Sequence, residues 1–330
     1  MKIKPLLFTM YLLLFSFNLI AQNSERKFKI HTLAFYNLEN LFDTINDVNK
    51  NDEASPIMEI KFNRSGIYKQ KINNMAKVIS EIGYEVTKRP PSIIGICEVE
   101  NRKVVEDLIS DEKLKKHNYG IVHYESPDDR GIDVGLIFNK DVFKVKSSNS
   151  HDVFITGNNS SKRRNTRNQL VVSGHLDGDL IHIIVNHWPS RGADETKRIA
   201  AAEVNNLIID SLRSIHNNPK IITMGDFNDD PFDKSIKKVL GAKKEIKNVG
   251  KNDLYNPFEK ILVEKGIGTN AYRDKWQLFD QIILSREFLD KDYQDYQLYK
   301  AGVFNKSFLI NKKGKFKGYP YRSFSYGTFT

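Results

Sequence analysis

Lys220-Ile221-Ile222-Thr223-Met224-Gly225-Asp226-Phe227-Asn228 is the stretch that decides how this 330-residue chain is read. A short, almost wholly apolar run ends in glycine, aspartate and asparagine. That is how a strand buried on both faces delivers polar side chains to one edge of a sheet. Three further stretches repeat the design. Ser92-Ile93-Ile94-Gly95-Ile96-Cys97 runs into Glu98, residues 180–186 run into His187, and Leu278-Phe279 leads into Asp280 ahead of Gln281-Ile282-Ile283-Leu284. Apolar runs at 29–36, 134–138 and 169–173 read as further strands. Residues 68–82 place Ile72, Met75, Ala76 and Ile79 on one helical stripe, and 195–215 do so with Ala202, Leu207, Ile208 and Leu212. Strands interleaved with helices predict sheets covered by helices in one α/β domain. The polar stretches 47–66 and 147–167 read as loops. Within the second, Lys162-Arg163-Arg164 is either a solvated loop or a phosphate contact.

The strand-end residues define the expected chemistry. In α/β folds, side chains at one sheet edge form ligand sites. Carboxylates gathered there are costly to bury without a neutralising cation. Glu98, Asp226 and Asn228 form an oxygen-rich set suited to Mg²⁺, Mn²⁺ or Ca²⁺, and no Cys- or His-rich spacing argues for zinc. Taken singly, each has a plain structural reading as a turn, cap or core residue.

Bulk properties narrow the class. Lys2 and Lys4 precede an apolar run over residues 5–20 that closes at Ala21, so 1–21 read as a secretory signal and 22–330 as the mature domain. A secreted or periplasmic protein follows, with no membrane-spanning segment after cleavage. The formal net charge of +10 falls only to +8 without the signal's Lys2 and Lys4, which favours a polyanionic partner such as nucleic acid, and no stable protein partner is implied. Cys97 is the only cysteine, so no intrachain disulfide forms, and its apolar setting reads as a buried, inert thiol.

Several stretches taken together resemble the endonuclease/exonuclease/phosphatase superfamily, the deoxyribonuclease I-like group, in its secreted bacterial form. They are Phe35-Tyr36-Asn37-Leu38-Glu39-Asn40-Leu41-Phe42-Asp43, Ile96-Cys97-Glu98-Val99-Glu100-Asn101, Asn186-His187-Trp188-Pro189-Ser190-Arg191 and Gly225-Asp226-Phe227-Asn228. The segment Ser126-Pro127-Asp128-Asp129-Arg130-Gly131-Ile132-Asp133-Val134 is similar too. The resemblance implies a four-layer α/β sandwich, two packed β-sheets flanked by helices. It also implies metal-dependent hydrolysis of phosphodiester bonds. By it, Glu98, preferred over Glu100, binds the metal with Asn37 beside it. His187 donates to the phosphoryl oxygen, Asp226 orients or deprotonates the attacking water, and Asn228 holds phosphate or metal. Asp280 orients a general base, while Arg130, Asp133 and Arg191 contact substrate, with an Arg–Asp bridge as the structural alternative. The resemblance further leads one to expect a C-terminal Asp-His pair and a last strand after Gly318-Tyr319-Pro320-Tyr321-Arg322, where this sequence ends at Thr330. The expected function is a secreted nuclease on DNA or RNA. The alternatives are a phosphatase or sphingomyelinase-like phospholipase, or a catalytically impaired nucleic-acid-binding member.

Overall fold

Side chains of two parallel strands, β1 (Leu33–Leu41) and β2 (Ile93–Val99), divide between two cores, as alternation requires of strands covered on both faces. Ile94, Ile96 and Val99 pack with Ile72, Met75, Ala76 and Ile79 of helix α1 (Arg64–Glu81) and with Val104, Val105 and Leu108 of α2 (Arg102–Ile109). Ile93 and Cys97 instead face Ile183, Val185, Ile222 and Met224 of a second sheet. Glycine permits that contact: a Cβ on Gly95 would lie 2.6 Å from the Met224 sulfur. Each fully buried aliphatic side chain in these cores stabilises the fold by about 1.5–3 kcal/mol.

The computed structural model describes residues 28–157, 160–322, 324–325 and 328–329. Residues 1–21, read as a signal, lie outside these. Residues 28–31 belong to a short N-terminal unit and Thr32–Thr330 to the main one. In the main unit, β3 (Tyr119–His123) and β4 (Asp133–Asn139) complete a four-stranded mixed sheet, order β1-β2-β4-β3. The other sheet contains β5 (Phe143–His151), after which β6 (Ile155–Gly157) and β7 (Ser160–Arg164) pair as a separate small hairpin. It continues through β8 (Gln169–Leu176), β9 (Asp179–His187), β10 (Lys220–Asp226), β11 (Ala242–Lys243) and β12 (Leu254–Tyr255). After the hairpin β13 (Asn270–Tyr272) and β14 (Lys275–Gln277), β15 (Asp280–Ser285) returns to it, giving the order β11-β12-β15-β10-β9-β8-β5. Helix α3 (Glu195–Ile215) covers this sheet's outer face through Ala201, Ala202, Ile208 and Ile209. Helix α4 (Phe258–Lys265) packs on Leu278. Phe324–Ser325 and Thr328–Phe329 form a further two-stranded pair, β16 and β17. The result is the four-layer α/β sandwich that the motifs imply. Among the described residues no helix is long and apolar enough to cross a membrane.

The polar stretch read as a loop from 147 is corrected here. Its first five residues belong to β5 and its middle to the β6–β7 hairpin. β5 is the outermost strand, with Lys144 to Ser147 all exposed, so it lacks the apolar alternation that marks a buried strand. The other supposed loop ends where α1 begins, at Arg64.

Candidate active site

Strand register assembles the site. Asp226 pairs with His187 across the parallel β9–β10 ladder and with Asp280 across the antiparallel β10–β15 ladder. Three polar side chains from distant parts of the chain therefore stand in one row. Close packing of β10 on β9 is what glycine allows: a Cβ on Gly225 would lie 2.4 Å from the Asn186 carbonyl oxygen. Beneath the row, Asn186 is fully buried and donates to Thr223 Oγ1 at 2.9 Å and to the Met224 carbonyl at 3.0 Å. Its own Oδ1 accepts from Trp188 Nε1 and Asn205 Nδ2. A buried network in which both polar atoms of Asn186 are paired rigidifies what stands on it.

Glu98 meets the row from the other sheet, and does so by breaking alternation. The β2–β4 pairing shifts register between Cys97 and Val99, and Glu98 has φ 57°. Left-handed backbone is disfavoured for such a residue by roughly 1–2 kcal/mol. Without the bulge, residue 98 would follow Ile94 and Ile96 toward the helices; instead Val99 takes that place in the core. The freed carboxylate is gripped on both oxygens. Asn37 Nδ2 donates to Glu98 Oε1 at 3.0 Å and the Asn40 N–H to Oε2 at 3.0 Å. The same Asn37 amide donates to Asp226 Oδ2 at 3.0 Å, while its oxygen accepts the Glu39 N–H at 2.7 Å. Asn37 is thus a clip between two carboxylates, beside Glu98 as the motif implies.

The end of β1 is itself held by a buried lysine. Glu39 and Asn40 both have positive φ, 51° and 56°. Lys71 of α1, only 5% exposed, donates to both their carbonyls. Burial pushes its ammonium down to about 8, with Glu39 and Glu98 acting in the opposite direction.

Electrostatics at the row calls for a cation. Burial, then the charge of Glu98, raises Asp226 above the usual carboxylate range, and burial with the charge of Asp226 raises Asp280 further. Asp280 Oδ1 is buried with no hydrogen-bond partner among the described residues. Oxygen donors crowded in this way fit a hard divalent ion. Glu98 and the neighbouring aspartates are the residues to hold it. His187 Nε2 stands 3.7 Å from Glu98 Oε1, and its buried Nδ1 lacks a described partner. Burial, reinforced by Arg167 and Arg130, drives His187 well below its ordinary 6.5, so it is a neutral imidazole able to donate one N–H. Cys97 is fully buried, as expected, yet one ligand atom each from Cys97, His187 and Asp226 lies within 4.8 Å of the others.

Other expected residues are placed differently. Asn228 joins the row's surroundings: its N–H donates to Asp226 Oδ1 and its Nδ2 to the Trp188 carbonyl, both at 2.9 Å. Arg191 is committed to Asp230, Asp233 and the Asn228 carbonyl and lies over the Phe279 ring, so it clamps the backbone behind Asp226. Asp133 is wholly buried and accepts from the Ser126 N–H at 2.7 Å and pairs with His123 Nε2 at 3.0 Å. It organises residues 124–132 from the interior. Arg130, half-exposed, stands 3.4 Å from Asp128. Arg167 is the residue that sequence reasoning missed. It is 7% exposed, donates to the Trp188 carbonyl at 2.6 Å and stands 3.5 Å from Asp128. The available signal was its position two residues before β8, whose antiparallel pairing with β9 brings its start to the edge where His187 lies.

No curated protein matches this chain. Solved structures resemble it at low identity. One from Bacteroides vulgatus, titled an endonuclease/exonuclease/phosphatase, is 14% identical over 76% of this chain and 85% of its own, with TM-score 0.48. The mannosyl-6-phosphatase of Bacteroides thetaiotaomicron is 16% identical over 77% and 84%, TM-score 0.46. Truncated TDP2 of Caenorhabditis elegans is 17% identical over 68% and 78%, TM-score 0.45. A sequence model of one family matches residues 32–330, which is the whole of the main unit. The chain belongs to the endonuclease/exonuclease/phosphatase family.

Proposed function

We propose that this protein hydrolyses phosphodiester bonds with a bound divalent ion, and that its substrate is nucleic acid. The observation that carries the reading is the in-register row His187–Asp226–Asp280 facing the re-aimed carboxylate of Glu98. The ion, held by Glu98 and its neighbours, supplies charge neutralisation at the phosphate. Asp226 accepts a proton from the attacking water as its oxygen bonds to phosphorus. Neutral His187 donates a hydrogen bond to the phosphoryl oxygen, where negative charge grows as the bond to the leaving oxygen breaks. Fixed donors of this kind act without reorganisation, and loss of one costs roughly 100- to 1000-fold in rate. Arg167 and Arg130 add positive potential at the same edge. The formal charge of +10, or +8 without Lys2 and Lys4, supports a polyanion as substrate, and the leader-like residues 1–21 support export.

The deciding experiment incubates the purified chain with plasmid DNA, single-stranded RNA, sphingomyelin and bis(p-nitrophenyl) phosphate, in Mg²⁺ and in EDTA. Cleavage of nucleic acid in Mg²⁺ alone, abolished by Glu98→Gln, is the expected result. Turnover that persists in EDTA, or in a folded Glu98→Gln protein, sinks the assignment. Turnover confined to sphingomyelin moves the substrate to lipid.

A further inference from the structure

One hairpin leads into Asp280 and a second is tied to the first. β13 and β14 run through Leu278 and Phe279 straight into Asp280. Residues 309–321 fold back on themselves: the Asn311 N–H donates to the Tyr319 carbonyl, Gly318 N–H to the Asn311 carbonyl and Tyr321 N–H to the Leu309 carbonyl, all at 2.8 Å. The hairpins are tied together where the Asp274 N–H donates to the Tyr319 hydroxyl at 2.8 Å and that hydroxyl donates to the Asp274 carboxylate. Around this joint the Trp276 ring centroid lies 6.4 Å from that of Tyr319, and Phe316 lies 5.9 Å from Tyr319. Three rings form one cluster, yet Trp276 and Phe316 keep 39% and 37% of their surface in solvent. The turn Lys312-Lys313-Gly314-Lys315-Phe316-Lys317 surrounds them with lysines and contains no acidic residue. Lys315 Nζ stands 5.8 Å from the Phe316 ring centre.

The foot of the lysine hairpin reaches the residues of β1 that flank Asn37. Tyr321 and Arg322, at the foot of the lysine hairpin, line a cavity of about 310 Å³ together with Tyr36, Glu39 and Lys71. Tyr36 and Glu39 are two residues either side of the Asn37 clip or nearer, and the Tyr36 hydroxyl feels the charge of Asp280.

We propose that the Trp276–Tyr319–Phe316 cluster and its lysines bind an unpaired stretch of nucleic acid, which passes through the Tyr321–Tyr36 cavity to the row. Its purpose rests on the phosphodiesterase reading. Flat rings accept any base by stacking, at about 1–3 kcal/mol per base, while lysines follow the phosphates. Duplex nucleic acid keeps its bases stacked internally and offers these rings little. A membrane is the weaker match. The turn exposes no Leu, Ile, Val or Met, and its apolar groups are rings set singly between cations.

The chain has two tryptophans, and Trp188 is 1% exposed, so a change in emission on binding reports Trp276. Oligo(dT) of about 15 nucleotides, within the span of one to several stacking sites, is titrated into the full chain in EDTA. Expected are quenched emission, and affinity for a duplex of equal length at least tenfold weaker. The triple variant Lys313→Gln, Lys315→Gln, Lys317→Gln should bind oligo(dT) more than tenfold more weakly. Its log–log salt slope should be shallower by about two, from three lost phosphate contacts at about 0.7 each. Its hydrolysis of bis(p-nitrophenyl) phosphate should be unchanged, which also shows that it folds. Absent quenching, equal duplex affinity, or a triple variant that binds normally each overturns the proposal. So does a blue shift with phosphatidylserine vesicles but no response to oligo(dT), which marks a membrane surface. Because binding is read without turnover, a protein that binds oligo(dT) but hydrolyses nothing fails the activity reading alone.

Discussion

Lys71 and Asn40 are joined across α1 and β1 by a 3.0 Å hydrogen bond from the ammonium to the carbonyl, and the N–H of the same Asn40 donates to Glu98 Oε2 at 3.0 Å. The ammonium therefore stabilises two consecutive left-handed residues whose shape sets the Glu98 grip. Lys71→Met leaves two carbonyls facing an apolar side chain. A hydrogen bond to a charged group contributes about 1.5–3 kcal/mol. We expect Mg²⁺ affinity to fall about tenfold, equal to 1.4 kcal/mol, with partial rescue in Lys71→Arg, read by isothermal titration. Unchanged Mg²⁺ affinity in Lys71→Met would show that the β1 turn holds itself.

Asp280 stands among carboxylates that raise its pKa, so it is a source of strain as well as of chemistry. Asp280→Asn removes a charge while keeping the shape. In EDTA the variant should melt higher than the parent, because repulsion with Asp226 is gone. In Mg²⁺ it should gain less from the ion and turn over at least about 100-fold more slowly. Melting curves with and without Mg²⁺ decide this, and a lower melting point in EDTA contradicts it.

Cys97, His187 and Asp226 offer one sulfur, one nitrogen and one oxygen within 4.8 Å. Burial raises the Cys97 thiol well above its ordinary pKa, but a soft or borderline ion displaces that proton when it binds. The set suits Zn²⁺ better than Mg²⁺. Zinc should inhibit even at saturating Mg²⁺, and Cys97→Ala should raise the half-inhibitory concentration about tenfold, or 1.4 kcal/mol. Identical zinc curves for the two proteins would remove Cys97 from the explanation.

His182 supplies a pH dependence away from the row. It is 1% exposed, shares a 2.7 Å hydrogen bond with Ser173 through Nδ1, and its ring centre lies 4.6 Å from that of the tilted His216 ring. Burial, His216 and Lys146 lower it from 6.5 to about 4. The folded protein thus holds a neutral ring while the unfolded chain takes up a proton below 6.5. Stability is lost as pH falls from 6.5 toward 4. His182→Asn, which retains an acceptor for Ser173, should flatten the melting profile across that interval. A parallel profile for both proteins argues against His182 as the titrating group.

How much of this was legible beforehand depends on what kind of information each residue needs. His187 and Asp226 close apolar runs and Asp280 opens one, so their place at a sheet edge is legible in the sequence. Glu98 was legible as a strand-end carboxylate, but alternation gives it the wrong face; only the bulge explains its direction. Lys71 lies among the buried residues of a helix, and its role exists only once β1 presents two carbonyls to it. Arg167 was hidden in a polar stretch taken for a loop, since β5 is an edge strand without an apolar pattern. Asp133 and Arg191 sit in motifs that look like binding segments, and their partners, Ser126 with His123 and Asp230 with Asp233, come from tertiary folding.

The row of three pairing residues has a practical side for protein engineering. Since backbone ladders fix His187, Asp226 and Asp280 relative to one another, the β13–β14 hairpin ahead of Asp280 can be exchanged as a cassette. A library built in residues 270–277 would vary what approaches the scissile bond while the reacting groups stay aligned. The sandwich then serves as a chassis, and selection acts on the hairpin.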